Sequence, residues 1–203
     1  MMSIDVIRNG PKYTFEDYLT WNDGKRWEII DGVIYLMSPM PSLEHQKISV
    51  NLVQNFAAYL KGKKCQVFHP PFDVRLPKEN EHSKKASTTV QPDITVICDS
   101  NKLDSKGCKG SPDLIVEILS PSTSKHDTIT KYKLYEQNAV KEYWIVDPLN
   151  QLVSRFHYDE SLKEYKKPEY FSREDIIIPI IFPDLQIKLE EVFPEIVEDY
   201  EDE

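Results

Sequence analysis

Residues 113–119 read Asp-Leu-Ile-Val-Glu-Ile-Leu, and no other stretch limits the fold as strongly. A near-continuous apolar run of this kind suits a strand covered on both faces, as in a parallel sheet. Turn residues follow from Pro121 to Ser124, then a helical pattern from about Asp127 to Gln137. Ser124 with Asp127 three residues on resembles a capping box, and Asn138 can take the left-handed conformation that ends a helix. Glu142-Tyr143-Trp144-Ile145-Val146 makes the next strand, stopped by Asp147-Pro148. Strand, helix and strand at this spacing predict a βαβ unit with parallel strands and a right-handed crossover.

The flanking sequence builds on this unit. Thr14 is an N-cap for a short helix carrying Phe15, Tyr18 and Leu19. Asp31-Gly32 between Trp27–Ile30 and Val33–Met37 is a strong hairpin signal. Ser42 caps a longer helix from about Leu43 to Leu60, with Ile48, Leu52, Phe56 and Tyr59/Leu60 as its buried stripe. Residues 65–76 read as one or two strands broken at Pro70-Pro71, and Gln91–Cys98 as another strand. Residues 77–89 and 99–111 read as polar loops, the first of them mobile. Residues 151–189 suggest a hairpin and short extended pieces. The chain has 203 residues, enough for one domain, expected over 1–189.

Charge separates the remainder. Of the 34 acids, eight lie in residues 190–203, which contain no Lys or Arg, leaving 26 acids to balance 25 bases. Residues 190–203 are therefore an acidic tail, and the body is near neutral with basic knots at Lys61/Lys63/Lys64, Lys84/Lys85 and Lys166/Lys167. This balance neither supports nor excludes a nucleic-acid partner. Cys65, Cys98 and Cys108 form no CxxC pair, so a four-ligand zinc site is absent and reduced thiols are expected. The N-terminus lacks the apolar core of a secretory signal. The longest apolar stretch, Ile176–Phe182, is far short of the roughly 20 residues that span a membrane. A soluble, cytoplasmic protein without a membrane partner is the expectation.

The chemistry concentrates on a few acids. Glu117 lies inside the apolar strand, where an ionised carboxylate is costly unless it is paired or holds a metal. A buried salt bridge, a place at the exposed end of the strand, and a metal or acid–base role are the three readings of it. Asp93 opens a strand after Pro92, 24 residues earlier, on what should be the neighbouring strand. Two acids brought together repel unless a cation joins them, and hard oxygen ligands suit Mg²⁺ or Mn²⁺. Glu28 is a third acid, one that a solvated hairpin would equally explain. Asp127, Lys131 and Tyr135 share a helix face at i, i+4 and i+8, so Lys131 either pairs with Asp127 at the surface or turns back toward the carboxylates. His45 falls on the buried stripe of the long helix, where a core or capping histidine is the ordinary reading.

The order of these motifs resembles a known family. It runs Trp27-Glu28-Ile29-Ile30-Asp31-Gly32, then Pro41-x-x-Glu44-His45, Pro92-Asp93, and Val116-Glu117-Ile118-Leu119-Ser120-Pro121-Ser122-Thr123. Asp127-x-x-x-Lys131-x-x-x-Tyr135 and Val140-x-Glu142-Tyr143-Trp144-x-Val146-Asp147-Pro148 follow. Over roughly residues 13–190 this is similar to the Uma-two family, within the PD-(D/E)xK nuclease superfamily.

The resemblance implies an α/β (α+β) restriction-endonuclease-like fold. Its mixed central sheet is flanked by helices, with an N-terminal hairpin and a C-terminal β-hairpin extension. It implies a divalent-metal-dependent endonuclease acting on nucleic acid, most directly DNA, as a homodimer. Asp93 and Glu117 would hold Mg²⁺ or Mn²⁺, and Glu28 would be the helix-side acid. The superfamily's lysine normally stands two residues after the second acid, where this chain has Leu119, so Lys131 would take its role from the next helix. His45, Asp127 and Tyr135 are secondary candidates. The alternative is a catalytically inactive nuclease-like module that binds nucleic acid or a partner protein. Lysines on the two polar loops, Lys84, Lys85, Lys102, Lys106 and Lys109, are candidates for phosphate contact.

Overall fold

The strand Leu114–Ile118 is buried along its whole length and lies inside a mixed seven-stranded sheet. The computed structural model describes residues 6–7, 10–37, 42–121 and 123–194. Pro41, Ser122 and the tail from residue 195 lie outside the described residues. On one side Leu114–Ile118 runs parallel to Glu142–Asp147, with Leu114 opposite Glu142 and Ile118 opposite Val146. On the other it runs antiparallel to Ile94–Ile97, with Val116 opposite Ile94. Gln66–Phe68 pairs beyond Ile94–Ile97, and Leu152–Asp159 beyond Glu142–Asp147. Glu164–Tyr165 and Glu169–Ser172 both pair with Leu152–Asp159.

A second seven-stranded sheet holds the N-terminal hairpin. Trp27–Ile30 and Val33–Leu36 pair through a turn in which Asp31 and Gly32 both have positive φ, 51° and 78°. That is the turn geometry Asp-Gly favours, because its twist matches the flanking strands. A Cβ at Gly32 would also stand 2.7 Å from Lys12 Cδ, so the lysine side chain would have to shift. Thr89–Val90, Val74–Arg75, Gly107–Lys109 and Leu103–Asp104 continue the sheet. The mixed sheet expected from sequence is therefore accompanied by another of comparable strand number.

The helix Leu43–Leu60 begins at Ser42, whose Oγ accepts the His45 N–H. Its buried face is His45, Ile48, Leu52, Phe56 and Leu60. Phe56 meets Trp144 of the main sheet at 5.8 Å between ring centroids. The short C-terminal helix Leu189–Val192 closes on the same helix, where Asn51 Nδ2 donates to Val192 O. Ile94, Val96, Leu114, Val116 and Ile118 contribute one face of the central strands to this core. The opposite face, with Ile97 and Ile115, builds a second core with Val74, Val90, Tyr135 and Tyr143. Among the described residues no helix is long and apolar enough to cross a membrane.

Several local expectations are corrected. The segment 77–89 contains a 3₁₀ turn at Ser83–Lys85 and buried Ala86, and Glu81 accepts from both the N–H and the hydroxyl of Ser87. Residues 99–111 hold a 3₁₀ turn and the paired strands Leu103–Asp104 and Gly107–Lys109. Both polar segments are thus tied into the second sheet rather than left as open loops. Asp127 does not form the expected capping box with Ser124. The Ser124 N–H already donates to Ser120 O, so helical bonding has begun there, and Asp127 turns inward. The helix ends with Asn138 at φ −95°, and the left-handed residue is Ala139, φ 52°. Asn138 instead caps with its side chain, donating to Leu134 O. Cys65 and Cys98 are joined in a disulfide, contrary to the expectation of three reduced thiols, and Cys108 is free and buried. They flank the Gln66↔Ile97 register, so strand pairing brings them face to face.

Candidate active site

Lys131 is 4% exposed, and three carboxylates from three elements surround its ammonium. Glu28 Oε1 of the hairpin and Glu117 Oε1 of the central strand each lie 3.0 Å from Nζ. Asp127 Oδ1, on the same helix, lies at 3.5 Å. The helix makes this possible by its shape. Residues His126–Lys131 form a π-helical stretch before the α-helix Tyr132–Gln137. Such widened turns often mark functional positions. Here one widened turn aims His126, Asp127 and Lys131 into the protein, all of them buried.

Each acid has further partners. Glu28 Oε1 accepts the Gln91 N–H at 2.9 Å, and Oε2 stands 3.5 Å from His126 Nε2. Glu117 Oε1 also accepts the Tyr135 hydroxyl at 2.6 Å. Asp93 Oδ2 accepts the Ile118 N–H at 2.8 Å and meets His45 Nε2 at 3.2 Å. Asp93 is the most open acid of the group, with 21% of its side chain exposed, so the cluster faces solvent on that side. The Tyr143 hydroxyl donates to Asp127 O, holding the helix against the next strand.

Four carboxyl groups thus share one ammonium and two imidazoles, and their protonation is interdependent. Burial raises the pKa of Glu117 most. Lys131 opposes this, while Asp127, Asp93 and Glu28 add to it, leaving the carboxyl well above the usual range. Asp127 is raised for the same reasons, against the pull of Lys131 and the Thr123 hydroxyl. Glu28 moves the other way: burial disfavours its charge, but Lys131, His126 and the Gln91 N–H outweigh that and hold it below the carboxylate range. Burial would lower Lys131, yet Glu117, Glu28, Asp127 and Asp93 together raise it, so the ammonium is firmly charged. For His45, burial lowers the pKa and Asp93 more than restores it.

The structure brings together all seven residues singled out from sequence: Glu28, Asp93, Glu117, Lys131, His45, Asp127 and Tyr135. Lys131 points back to the carboxylates and pairs with Asp127 within the interior, not at the surface. His45 is both a buried helix-face residue and a partner of Asp93. Two contributors had no distinct signal in the sequence. His126 stacks on Tyr35, ring centroids 4.7 Å apart, and reaches Glu28; its place beside Asp127 was the only hint. Gln91 fixes Glu28 through its backbone, and no side-chain pattern encodes that. Of the loop lysines, Lys102 donates one hydrogen bond to Ser111 O at 2.7 Å.

The donor set fits a divalent cation. Asp93 Oδ1 and Glu117 Oε2 accept no hydrogen bond from the described residues, and the cluster carries more carboxylate than its one ammonium offsets. Among the described residues no group of three or more His, Cys, Asp or Glu side chains is disposed to hold a metal alone. The two unengaged oxygens, on the side where Asp93 is open to solvent, are ligands of the kind a hard cation takes when it keeps several of its waters.

Known proteins share this architecture. The profile of the Uma2 family, described as "Putative restriction endonuclease", matches residues 15–190. "Uncharacterized protein slr1290" of Synechocystis sp. (strain ATCC 27184 / PCC 6803 / Kazusa) is 30% identical over 153 residues, covering 74% of this chain and 76% of that protein. A crystal structure described as a putative nuclease belonging to DUF820, from Anabaena variabilis ATCC 29413, superposes with a TM-score of 0.69. It shares 19% identity, over 89% of this chain and 97% of that one, a likeness of fold.

Proposed function

Because the chain belongs to the Uma2 restriction-endonuclease family, we propose that it is a divalent-metal-dependent endonuclease hydrolysing phosphodiester bonds of DNA. The observation that carries this reading is the Lys131 ammonium set among Glu28, Glu117 and Asp127, with Asp93 tied beside Glu117. In this reading Asp93 and Glu117 hold Mg²⁺ or Mn²⁺. A cation bound there supplies charge opposite the phosphate and lowers the pKa of its water. Lys131 offsets negative charge developing on the phosphate, a preorganised electrostatic role. Glu28 orients Lys131, and Tyr135 orients Glu117 by donating to Oε1. Asp93 is held by the Ile118 N–H, which leaves its other oxygen available. Cutting both strands takes two such sites, so the proposal includes a homodimer, in the cytoplasm where DNA is reached.

The test is cleavage of plasmid, linear and single-stranded DNA and of RNA with Mg²⁺, Mn²⁺ or EDTA, comparing wild type with Glu117→Ala. Metal-dependent DNA cutting lost in the variant is the expected result. Cutting that survives Glu117→Ala sinks the assignment of the site. One observation favours a second reading, a nuclease-like module that binds without cutting: Glu28, Glu117 and Asp127 already share the Lys131 ammonium. That reading expects nucleic-acid or protein binding unaffected by Glu117→Ala and no cutting with either metal.

A further inference from the structure

On the far face of the N-terminal hairpin lies a cavity of about 400 Å³, lined by Tyr13, Trp21, Asn22, Asp23, Trp27 and Ile34. That volume is within the usual range for small-ligand sites. Trp27 immediately precedes Glu28 on one strand, and successive side chains of a strand point to opposite faces. The cavity is therefore separate from the acid–lysine cluster but is carried by the same strand. Its walls are aromatic. Trp21 stands edge-on to Tyr13 at 5.3 Å and to Trp27 at 5.9 Å, with Tyr18 behind it at 5.5 Å. Both tryptophans remain partly exposed.

We propose that this cavity seats an unpaired base of the nucleic-acid substrate; the proposal rests on the nuclease reading of the neighbouring site. Every base presents a π-face, and stacking on Trp or Tyr is the general way proteins hold single-stranded nucleic acid. Asp23 acts as a brace here. Its Oδ2 accepts Trp27 Nε1 at 2.9 Å and its Oδ1 accepts the Lys25 N–H at 2.9 Å, which locks the Trp27 ring. An aromatic box of this kind could also attract a quaternary ammonium. One observation disfavours that: Lys25 Nζ already lies over the Trp27 ring at 5.9 Å. A resident cation repels a cationic ligand and attracts the phosphate next to a stacked base. The Asn22 amide supplies polar groups for the base edge.

Trp21 and Trp27 are two of three tryptophans in the chain, and the third, Trp144, is fully buried, so contact quenching by a ligand acts on the two cavity tryptophans above a constant Trp144 background. The experiment titrates the full-length protein, in EDTA, with single-stranded oligodeoxyadenylate, the matching duplex, free dAMP and tetramethylammonium. Affinities are read in parallel by anisotropy of a labelled oligonucleotide. Saturable quenching by the single strand is expected, weaker with duplex and with dAMP. Trp21→Ala should weaken single-strand binding roughly 5- to 150-fold. Trp21→Phe should retain most of the affinity and most of the quenching. Should Trp21→Ala fail to fold by circular dichroism, Tyr13→Ala replaces it. Single-strand binding without quenching and equal in Trp21→Ala overturns the proposal and leaves the nuclease reading to the cleavage assay. Quenching by tetramethylammonium instead, or by dAMP as strongly as by the strand, also overturns it. No quenching by any ligand in an enzyme that still cleaves DNA removes the cavity from the reaction while leaving the active site in place.

Discussion

Asp93 Oδ2 accepts the backbone N–H of Ile118 at 2.8 Å. The antiparallel register ends its pairs at Val116↔Ile94, so Asp93 stands one step further on, across from Glu117. A side chain thus takes over where the backbone ladder stops, and the two acids are held together by strand pairing rather than by mutual attraction.

Asp93→Ala leaves the Ile118 N–H without its acceptor and should cost about 1–3 kcal/mol of stability. Asp93→Asn keeps an oxygen acceptor and should recover most of that in urea unfolding. Both variants should lose Mn²⁺ binding by calorimetry if Asp93 is a ligand. Wild-type Mn²⁺ affinity in Asp93→Asn would remove Asp93 from the metal.

Lys131→Met removes the one ammonium from among Glu28, Glu117 and Asp127. Uncompensated buried charge of this kind costs about 3–5 kcal/mol. The variant should be less stable in EDTA and gain more in Tm from Mn²⁺ than wild type does. Wild-type stability in EDTA would show that the acids are already neutral without the lysine.

Arg75 is fully buried, and its Nη2 donates to Asp104 Oδ1 at 2.6 Å. Ser83 and Cys108 O take its other donors. Asp104→Ala should destabilise by about 1.5–3 kcal/mol, the range for a hydrogen bond to a charged group, as read by urea unfolding. Asp104→Asn should cost less.

Burial pushes the Cys108 thiol up to about 12, only partly opposed by Lys102 and Arg75. An unfolded thiol ionises near about 8.5. Between those values the folded state holds a proton that the unfolded state has lost, so stability falls as pH rises from about 8.5. Urea unfolding at rising pH should show this decline, and Cys108→Ala should flatten it. Without reductant, the native protein should resist alkylation and the denatured protein should take one label, at Cys108, since Cys65 and Cys98 are joined.

The local features were legible because short-range chemistry encodes them. Apolar continuity marked Leu114–Ile118, Asp31-Gly32 marked the hairpin turn, and Ser42 with the Ile48/Leu52/Phe56 stripe marked the long helix. The misreadings came from segments whose order depends on distant partners. Residues 77–89 look like solvent loop until Ala86 is seen to be buried and its carbonyl to accept the Phe15 N–H. The Ser124–Asp127 pair looks like a cap until Lys131 draws Asp127 inward.

By itself, the sequence determined the central βαβ unit, the helix and hairpin around it, and a short set of acids too costly to bury without a partner. Periodicity and turn preference act between near neighbours, so one chain suffices to read them. Only the tertiary structure decided which partners those acids have. Glu28 and Glu117 share Lys131, His126 reaches Glu28, and Asp93 is tied to Ile118. The free energy of a buried charge depends on everything packed within a few ångströms of it, and that neighbourhood exists only once the two sheets and the crossover helix have come together.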